Sequence, residues 1–192
     1  NAKTFTASLV ASANGCADTA RTSIGVYPKV RAAFSYVKAT ECYSAQDNVV
    51  ATMVNSSLSA NKFEWDFDYD GNNFAADETK TDKTNFNHNY VNNSADGNGI
   101  STYTIKLKAI NSNNESCFDV ATKTIDIYPK VIAAFEPTTN AQGCSPLTTT
   151  FTNSSKGYGL TYQWEYDHDN LQSTESGATH THTFDNVAAS TR

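Results

Sequence analysis

Residues 63–71 read Phe63-Glu64-Trp65-Asp66-Phe67-Asp68-Tyr69-Asp70-Gly71. Aromatic side chains (Phe63, Trp65, Phe67) alternate with acids (Glu64, Asp66, Asp68), the two-residue period of a strand with one apolar and one solvated face. The run ends in Asp70-Gly71-Asn72-Asn73, where small polar side chains and a residue without Cβ permit turn geometry. About a hundred residues later, a domain's length, the pattern returns as Tyr162-Gln163-Trp164-Glu165-Tyr166-Asp167-His168-Asp169-Asn170. A repeated module is therefore the first expectation.

Working outward, the repeat extends in both directions. Val26-Tyr27-Pro28-Lys29-Val30-Arg31-Ala32-Ala33-Phe34 matches Ile127-Tyr128-Pro129-Lys130-Val131-Ile132-Ala133-Ala134-Phe135 at an offset of 101 residues, with Cys16 and Cys117 in the same register. Tyr-Pro-Lys thus reads as the joint between units, and its proline, with one backbone angle set and no N–H to donate, makes a short linker stiff. Before the joint, Phe5, Ala7, Leu9 and Ala11 alternate with polar residues, turn at Asn14-Gly15 and return from Arg21 to Val26. Tyr103, Ile105, Leu107 and Ala109, then a turn region and Val120 to Ile127, match that hairpin. After the joint come a short strand, a cysteine-bearing loop and a strand in which Val49, Ala51 and Met53 align with Leu147, Thr149 and Phe151. That strand ends at Asn55-Ser56-Ser57 or Asn153-Ser154-Ser155. Phe86-Asn87-His88-Asn89-Tyr90 alternates again, with His180-Thr181-His182-Thr183-Phe184 as its counterpart. No window shows the 3.6-residue period of an amphipathic helix. Six or seven short strands in each unit of about 100 residues predict an all-β sandwich.

The frame then divides the chain into the last hairpin of one unit (1–28), a whole unit (29–128) and the first part of another (129–192). It implies a piece of a longer array. A sandwich lacking its last hairpin exposes apolar side chains and unpaired edges, so 129–192 is expected to be covered by a neighbour or poorly ordered.

The net charge of −6 and the absence of a basic stripe argue against nucleic acid, whose binding needs clustered Lys and Arg. Ten Tyr and ten Phe, within an apolar fraction of 39%, suffice for small cores. No apolar run approaches the roughly 20 residues of a membrane span, so insertion is not expected. Asn1 follows no charged and then hydrophobic leader, which places any export signal outside the sequence.

Several residues carry candidate chemistry beside a plainer reading. Asp66, Asp68, Asp70 and Gly71, with Asp77 at the twelfth position, fit the ligand spacing of a calcium loop, because a hard cation wants six to eight oxygens. They equally suit the solvent face of a strand and its turn, and Glu165, Asp167 and Asp169 lead into Asn170 rather than glycine. His168, His180 and His182 are a weak zinc set; structural positions are the better expectation for them. Trp65 and Trp164 are imaginable as sugar-stacking platforms, yet their parity with Phe63 and Phe67 points into the core. Cys16, Cys42, Cys117 and Cys144 form no C-x-x-C pair. They read as disulfide candidates in an oxidising, extracellular setting, against the alternative of buried free thiols. No nucleophile, zinc-protease or concave carboxylate motif suggests an enzyme.

Together these segments resemble the PKD domain, an immunoglobulin-like sandwich. The likeness rests on Phe63-Glu64-Trp65-Asp66-Phe67 entering Asp70-Gly71, on His88-Asn89-Tyr90, and on Tyr103-Thr104-Ile105-Lys106-Leu107. It covers the whole chain as one full and two partial repeats, although the usual Phe-Gly-Asp-Gly turn is altered here. Trp65, Phe67, His88, Tyr90, Tyr103, Trp164 and Tyr166 fall on structural positions of that pattern. Tandem units of this kind are similar to those of large Bacteroidetes gliding-motility surface adhesins. That resemblance implies a non-catalytic stalk or filament exported by the type 9 pathway, with no cofactor required beyond the calcium candidate. Its implied partners are neighbouring repeats of the same longer chain, other copies in a filament, and surface polysaccharide. An accessory module of a secreted polysaccharide- or protein-degrading enzyme is the alternative. In an immunoglobulin-like unit the Cys42 loop and the Cys117 hairpin tip lie at opposite ends, a strand's length of roughly 20 Å apart, which disfavours a bond between them. Disulfides across the joints are the resulting expectation. Thr19, in Asp18-Thr19-Ala20, matches an O-glycosylation acceptor of that phylum, beside the reading of an unmodified turn.

Overall fold

The computed structural model describes residues 2–39, 48–139, 141–166, 171–175 and 177–186. Among them the regular structure is all strand, arranged in antiparallel sheets. By compactness the chain forms two units: Asn1–Lys38 with Ala51–His88 and Thr102–Ile125, and Ala39–Val50 with Asn89–Ser101 and Asp126–Arg192.

The first unit opens with a hairpin, β1 (Lys3–Ala13) and β2 (Cys16–Val26). Asn14 and Gly15 turn it at positive φ, 50° and 85°, the two left-handed residues whose twist suits a two-residue hairpin. Pairing runs unbroken from Lys3↔Val26 to Ala13↔Cys16. Every residue of both strands is exposed.

Seven strands follow: β3 (Phe34–Lys38), β4 (Val49–Asn55), β5 (Lys62–Asp66), β6 (Glu78–Lys80), β7 (Phe86–Tyr90), β8 (Ser101–Ile110) and β9 (Phe118–Ile127). They make a three-stranded sheet, β3-β4-β7, and a four-stranded one, β6-β5-β8-β9. Phe34 and Phe86 of the first sheet meet the Trp65 ring edge-on at 5.1 and 5.4 Å, so the two apolar faces pack on each other, as expected of the β-sandwich class. Val49, Ala51, Met53, Phe63, Ile105, Leu107 and Ala109, all inward by the alternation of their strands, complete the buried core. The indole Nε1 of Trp65 is buried with no hydrogen-bond partner among the described residues. Its place is set by packing alone.

The second unit contains β10 (Phe135–Pro137), β11 (Leu147–Asn153), β12 (Tyr162–Glu165), β13 (Leu171–Glu175) and β14 (Thr179–Phe184). Their order, β10-β11-β14 and β12-β13, reproduces that of β3-β4-β7 and β5-β6. Phe135 meets Trp164 edge-on at 5.3 Å, as Phe34 meets Trp65. The recurrence reaches single atoms. Ser57 Oγ accepts the Ala33 amide at 3.1 Å and donates to its carbonyl at 3.3 Å. Ser155 does the same to Ala134 at 3.0 and 3.3 Å. In each copy the preceding asparagine, Asn55 or Asn153, accepts the serine amide at 3.0 Å through its side chain. One clasp thus ties the end of the second strand to the segment entering the first, because a hydroxyl can both donate and accept.

Two local readings differ from the sequence expectation. The tryptophan strand stops at Asp66, and Phe67 is buried although it lies beyond the strand. Asp66, expected on the solvated face, is buried at 1% exposure because the chain beyond it folds back and donates amides to its carboxylate. Of the expected structural residues, Trp65, Phe67, Tyr90 and Trp164 are buried, whereas His88, Tyr103 and Tyr166 are half-buried.

Replacing Trp65 with alanine is expected to cost about 3–5 kcal/mol, enough to unfold a unit of ordinary stability. Ser57→Ala removes the partner of the Ala33 amide, while the Ala33 carbonyl keeps the Ser56 amide at 2.9 Å, and should cost about 1–3 kcal/mol. Urea unfolding followed by circular dichroism measures both; an unchanged midpoint for Ser57→Ala would remove the clasp from the account.

Candidate functional site: the acidic turn after the tryptophan strand

β5 carries the chain to Asp66, and the loop to β6 wraps back over it. Tyr69 N–H donates to the Thr104 carbonyl at 3.0 Å, and Asp77 N–H to that of Trp65 at 2.8 Å, so both limbs of the loop are anchored. Between them Gly71 sits at φ 93°, a region side chains other than glycine rarely occupy. One carboxylate oxygen from each of Asp66, Asp68 and Asp77 lies within 4.8 Å of the others. Asp66 is buried; the other two face solvent.

These carboxylates already have structural work. Asp66 accepts the Asp68 amide at 3.3 Å on one oxygen and the Ala75 amide at 3.0 Å on the other. Asp77 accepts the Phe67 amide at 2.7 Å. Asp70, the fourth residue of the calcium-loop spacing, is outside the cluster and caps the turn, accepting the Asn72 and Asn73 amides at 2.7 and 2.8 Å. Those amide bonds favour its charged form and hold its carboxyl below the usual range. The donor set suits a hard cation, since each carboxylate oxygen with one amide keeps a second lone pair. Asp66, Asp68 and Asp77 would hold it, and a bound cation would neutralise charge gathered at the end of a strand.

His88 adjoins this turn and stacks on Phe67, with centroids 3.9 Å apart at 17°. Burial lowers its pKa, opposed by the carboxylates of Asp77, Glu78 and Asp68. His182 stacks on Tyr166 in the same manner, 3.8 Å at 9°, and His180 on Trp164 at 5.4 Å. Ring faces here serve packing, and none of these three histidines belongs to a metal-ligating cluster among the described residues. His168, Asp167 and Asp169 lie outside the described residues, as does Cys42.

The remaining sequence candidates are scattered. Cys16 and Cys144 are exposed and Cys117 half-buried, and all three are free thiols. Cys117 closes the loop between β8 and β9, its carbonyl accepting the Asn111 amide at 2.9 Å. Thr19 is exposed on β2, its amide bonded to its neighbour Asp18 at 2.8 Å. Trp65 and Trp164 are buried and offer no stacking platform. Sequence reasoning missed Asp119, whose carboxylate accepts the Ala32 amide at 2.9 Å and fastens β9 beside the chain entering β3. An acid at a strand's start gives no signal of so distant a partner.

Calcium in this seat should raise the melting temperature of the wild type and leave Asp68→Asn unmoved. A curve insensitive to both calcium and chelator removes the cation. His88 gives an independent pH signature. With its folded pKa below the unfolded value of about 6.5, the unfolded chain binds the proton more readily. Stability is therefore full above that value and is lost as pH falls through it toward the folded pKa. Melting at stepped pH should show this slope, flattened in His88→Gln.

Set against known proteins, the chain matches no family model. It has no significant match among curated proteins or solved structures.

Proposed function

We propose that this chain is a spacer segment of a secreted cell-surface adhesin, a non-enzymatic stalk or filament of tandem PKD-type, immunoglobulin-like sandwiches acting in adhesion or gliding motility. The proposed frame is a hairpin of one repeat (1–28), a complete repeat (29–128) and the leading part of the next (129–192). One observation carries the reading: two successive sets of strands share sheet order, aromatic cluster and the serine clasp, joined through Tyr128-Pro129-Lys130. A catalyst needs one special site, whereas a spacer needs the same stable unit again. Conserving architecture from copy to copy while the turn acids change, Asp70-Gly71 against Asp169-Asn170, suits the second need. Neighbouring repeats are the natural partners of such a unit, and an extracellular position follows from the adhesin reading.

Pulling the chain by its ends in single-molecule force spectroscopy tests the role. The central repeat should unfold cooperatively under load with a length gain on the order of 30 nm, the reach of about 100 extended residues. Gradual extension without a discrete event would overturn the load-bearing reading.

A further inference from the structure

The joint at Tyr128-Pro129-Lys130 is a single covalent connection, and each residue of such a linker ordinarily keeps two soft backbone angles. Pro129 removes one of them and leaves the others free to swivel. Beside the joint runs the loop between β7 and β8, residues 91–100. It is built before it touches anything beyond itself. Asp96 accepts the Asn98 amide at 2.9 Å, Ser94 Oγ accepts the Gly99 amide at 3.1 Å, and the Gly97 amide donates to the Ser94 carbonyl at 3.2 Å. Asn92 then fastens this loop to the strand that leads into the joint. Its Nδ2 donates to the Gly99 carbonyl at 2.9 Å and to the Ile127 carbonyl at 2.6 Å, while its Oδ1 accepts the Ser94 amide at 3.0 Å. Both N–H groups and the oxygen of one amide side chain are thus engaged.

On its far side the same loop holds the chain beyond the joint. Asn98 Oδ1 accepts the Gly157 amide at 3.1 Å, across 59 residues of sequence. Gly157 follows Lys156, which is bridged to Ile132 by backbone bonds of 2.8 and 2.9 Å, so this turn is fixed to the segment leaving the joint. The next residue, Tyr158, packs its ring against Tyr128 with centroids 5.8 Å apart at 56°. A Cβ at position 157 would lie 2.7 Å from Leu160 Cδ2 and 3.4 Å from Val131 Cγ2, at φ 143°, so the turn that presents this amide requires glycine. The contacts close a circuit. It runs from Ile127 through Asn92 and the loop to Asn98, across to Gly157 and Tyr158, and back to Tyr128. All of these residues fall in the second compact unit.

We propose that the β7–β8 loop is a brace that fixes the Tyr128-Pro129-Lys130 joint at a second point, with Asn98 as its latch and Asn92 as the tie between the latch and the strand entering the joint. Segments connected at one point swivel about it; a second connection some residues away removes that freedom. One hydrogen bond between neutral groups shifts an open–closed equilibrium by only about two- to tenfold. That suffices here because Asn92, Ser94 and Asp96 have already ordered the loop, so latching immobilises little further chain. Proline alone limits the joint by one angle, and the brace supplies the rest of its stiffness. The inference rests on the spacer reading for its purpose and on these contacts for its geometry.

Nuclear magnetic resonance of the full chain tests this with two readouts. In the wild type the Gly157 amide should exchange with solvent severalfold more slowly than in Asn98→Ala, and Asn98→Asp, which keeps an acceptor oxygen in place, should restore the protection. Relaxation of the backbone nitrogens should give one tumbling time for Asp126 and Ile127, before the joint, and for β11, after it. In Asn98→Ala the two should separate, with β11 tumbling faster. Asn98 is exposed, so its replacement leaves the buried cores alone, and an unchanged Ser155 amide shift checks that the clasp beyond the joint is intact. Two tumbling times in the wild type would overturn the proposal. So would an Asn98→Ala chain that keeps a single tumbling time, whether or not Gly157 loses its protection, since the joint would then be stiff without the latch. The pulling experiment reads the central repeat under load and relaxation reads the joint at rest, so the spacer reading and the brace fail separately.

Discussion

Everything in the central sandwich leans on the burial of one indole. Trp65 lies between Phe34, Phe67 and Phe86 with ring centroids 5.1 to 6.1 Å away, and its indole Nε1 has no hydrogen-bond partner among the described residues. Phe34 and Phe86 meet the ring edge-on and Phe67 stacks on it at 11°, and both arrangements prefer particular angles, so the three neighbours must come from fixed positions. The serine clasp helps to supply them. By tying Ser57 to Ala33 it fixes where Phe34 enters the core, and the Asp66 and Asp77 carboxylates fix how the chain leaves past Phe67. Polar side chains at the rim thereby set the geometry of an apolar centre.

The acidic turn makes sense within that arrangement before any cation is considered. A loop crossing the end of a buried strand has backbone amides that would otherwise lack partners. Asp66, Asp70 and Asp77 answer them directly. Two of them, Asp66 and Asp77, also lie in the carboxylate cluster with Asp68, so the acids that hold the loop are partly those that crowd together.

Comparison of the two copies shows what they share and where they differ. Among the described residues the β10–β14 unit repeats the aromatic contact and the clasp of the central sandwich. Among the described residues they differ in that Phe135 is exposed where Phe34 is buried, and in that β12 pairs with β13 alone where β5 pairs with β6 and β8.

Much of this was legible in the residues. Alternation in Phe63–Phe67 and in Phe5–Ala11 marked strands, because side chains two apart share a face. Asn14-Gly15 marked a turn, because both residues tolerate positive φ. The offset of 101 residues between Val26–Phe34 and Ile127–Phe135 pointed to a recurring strand order without any coordinates. Other features depended on where distant segments meet. Asp66 has the parity of a solvated acid and is buried, since a loop nine residues further on donates to it. Asp70 and Asp77 stand at similar calcium-loop positions, yet Asp77 joins the cluster and Asp70 does not. Phe34 and Phe135 are equivalent in sequence and opposite in exposure. Periodicity is a local property, carried by the chain itself. Burial is a property of what arrives from elsewhere, and only the assembled sheets decide it.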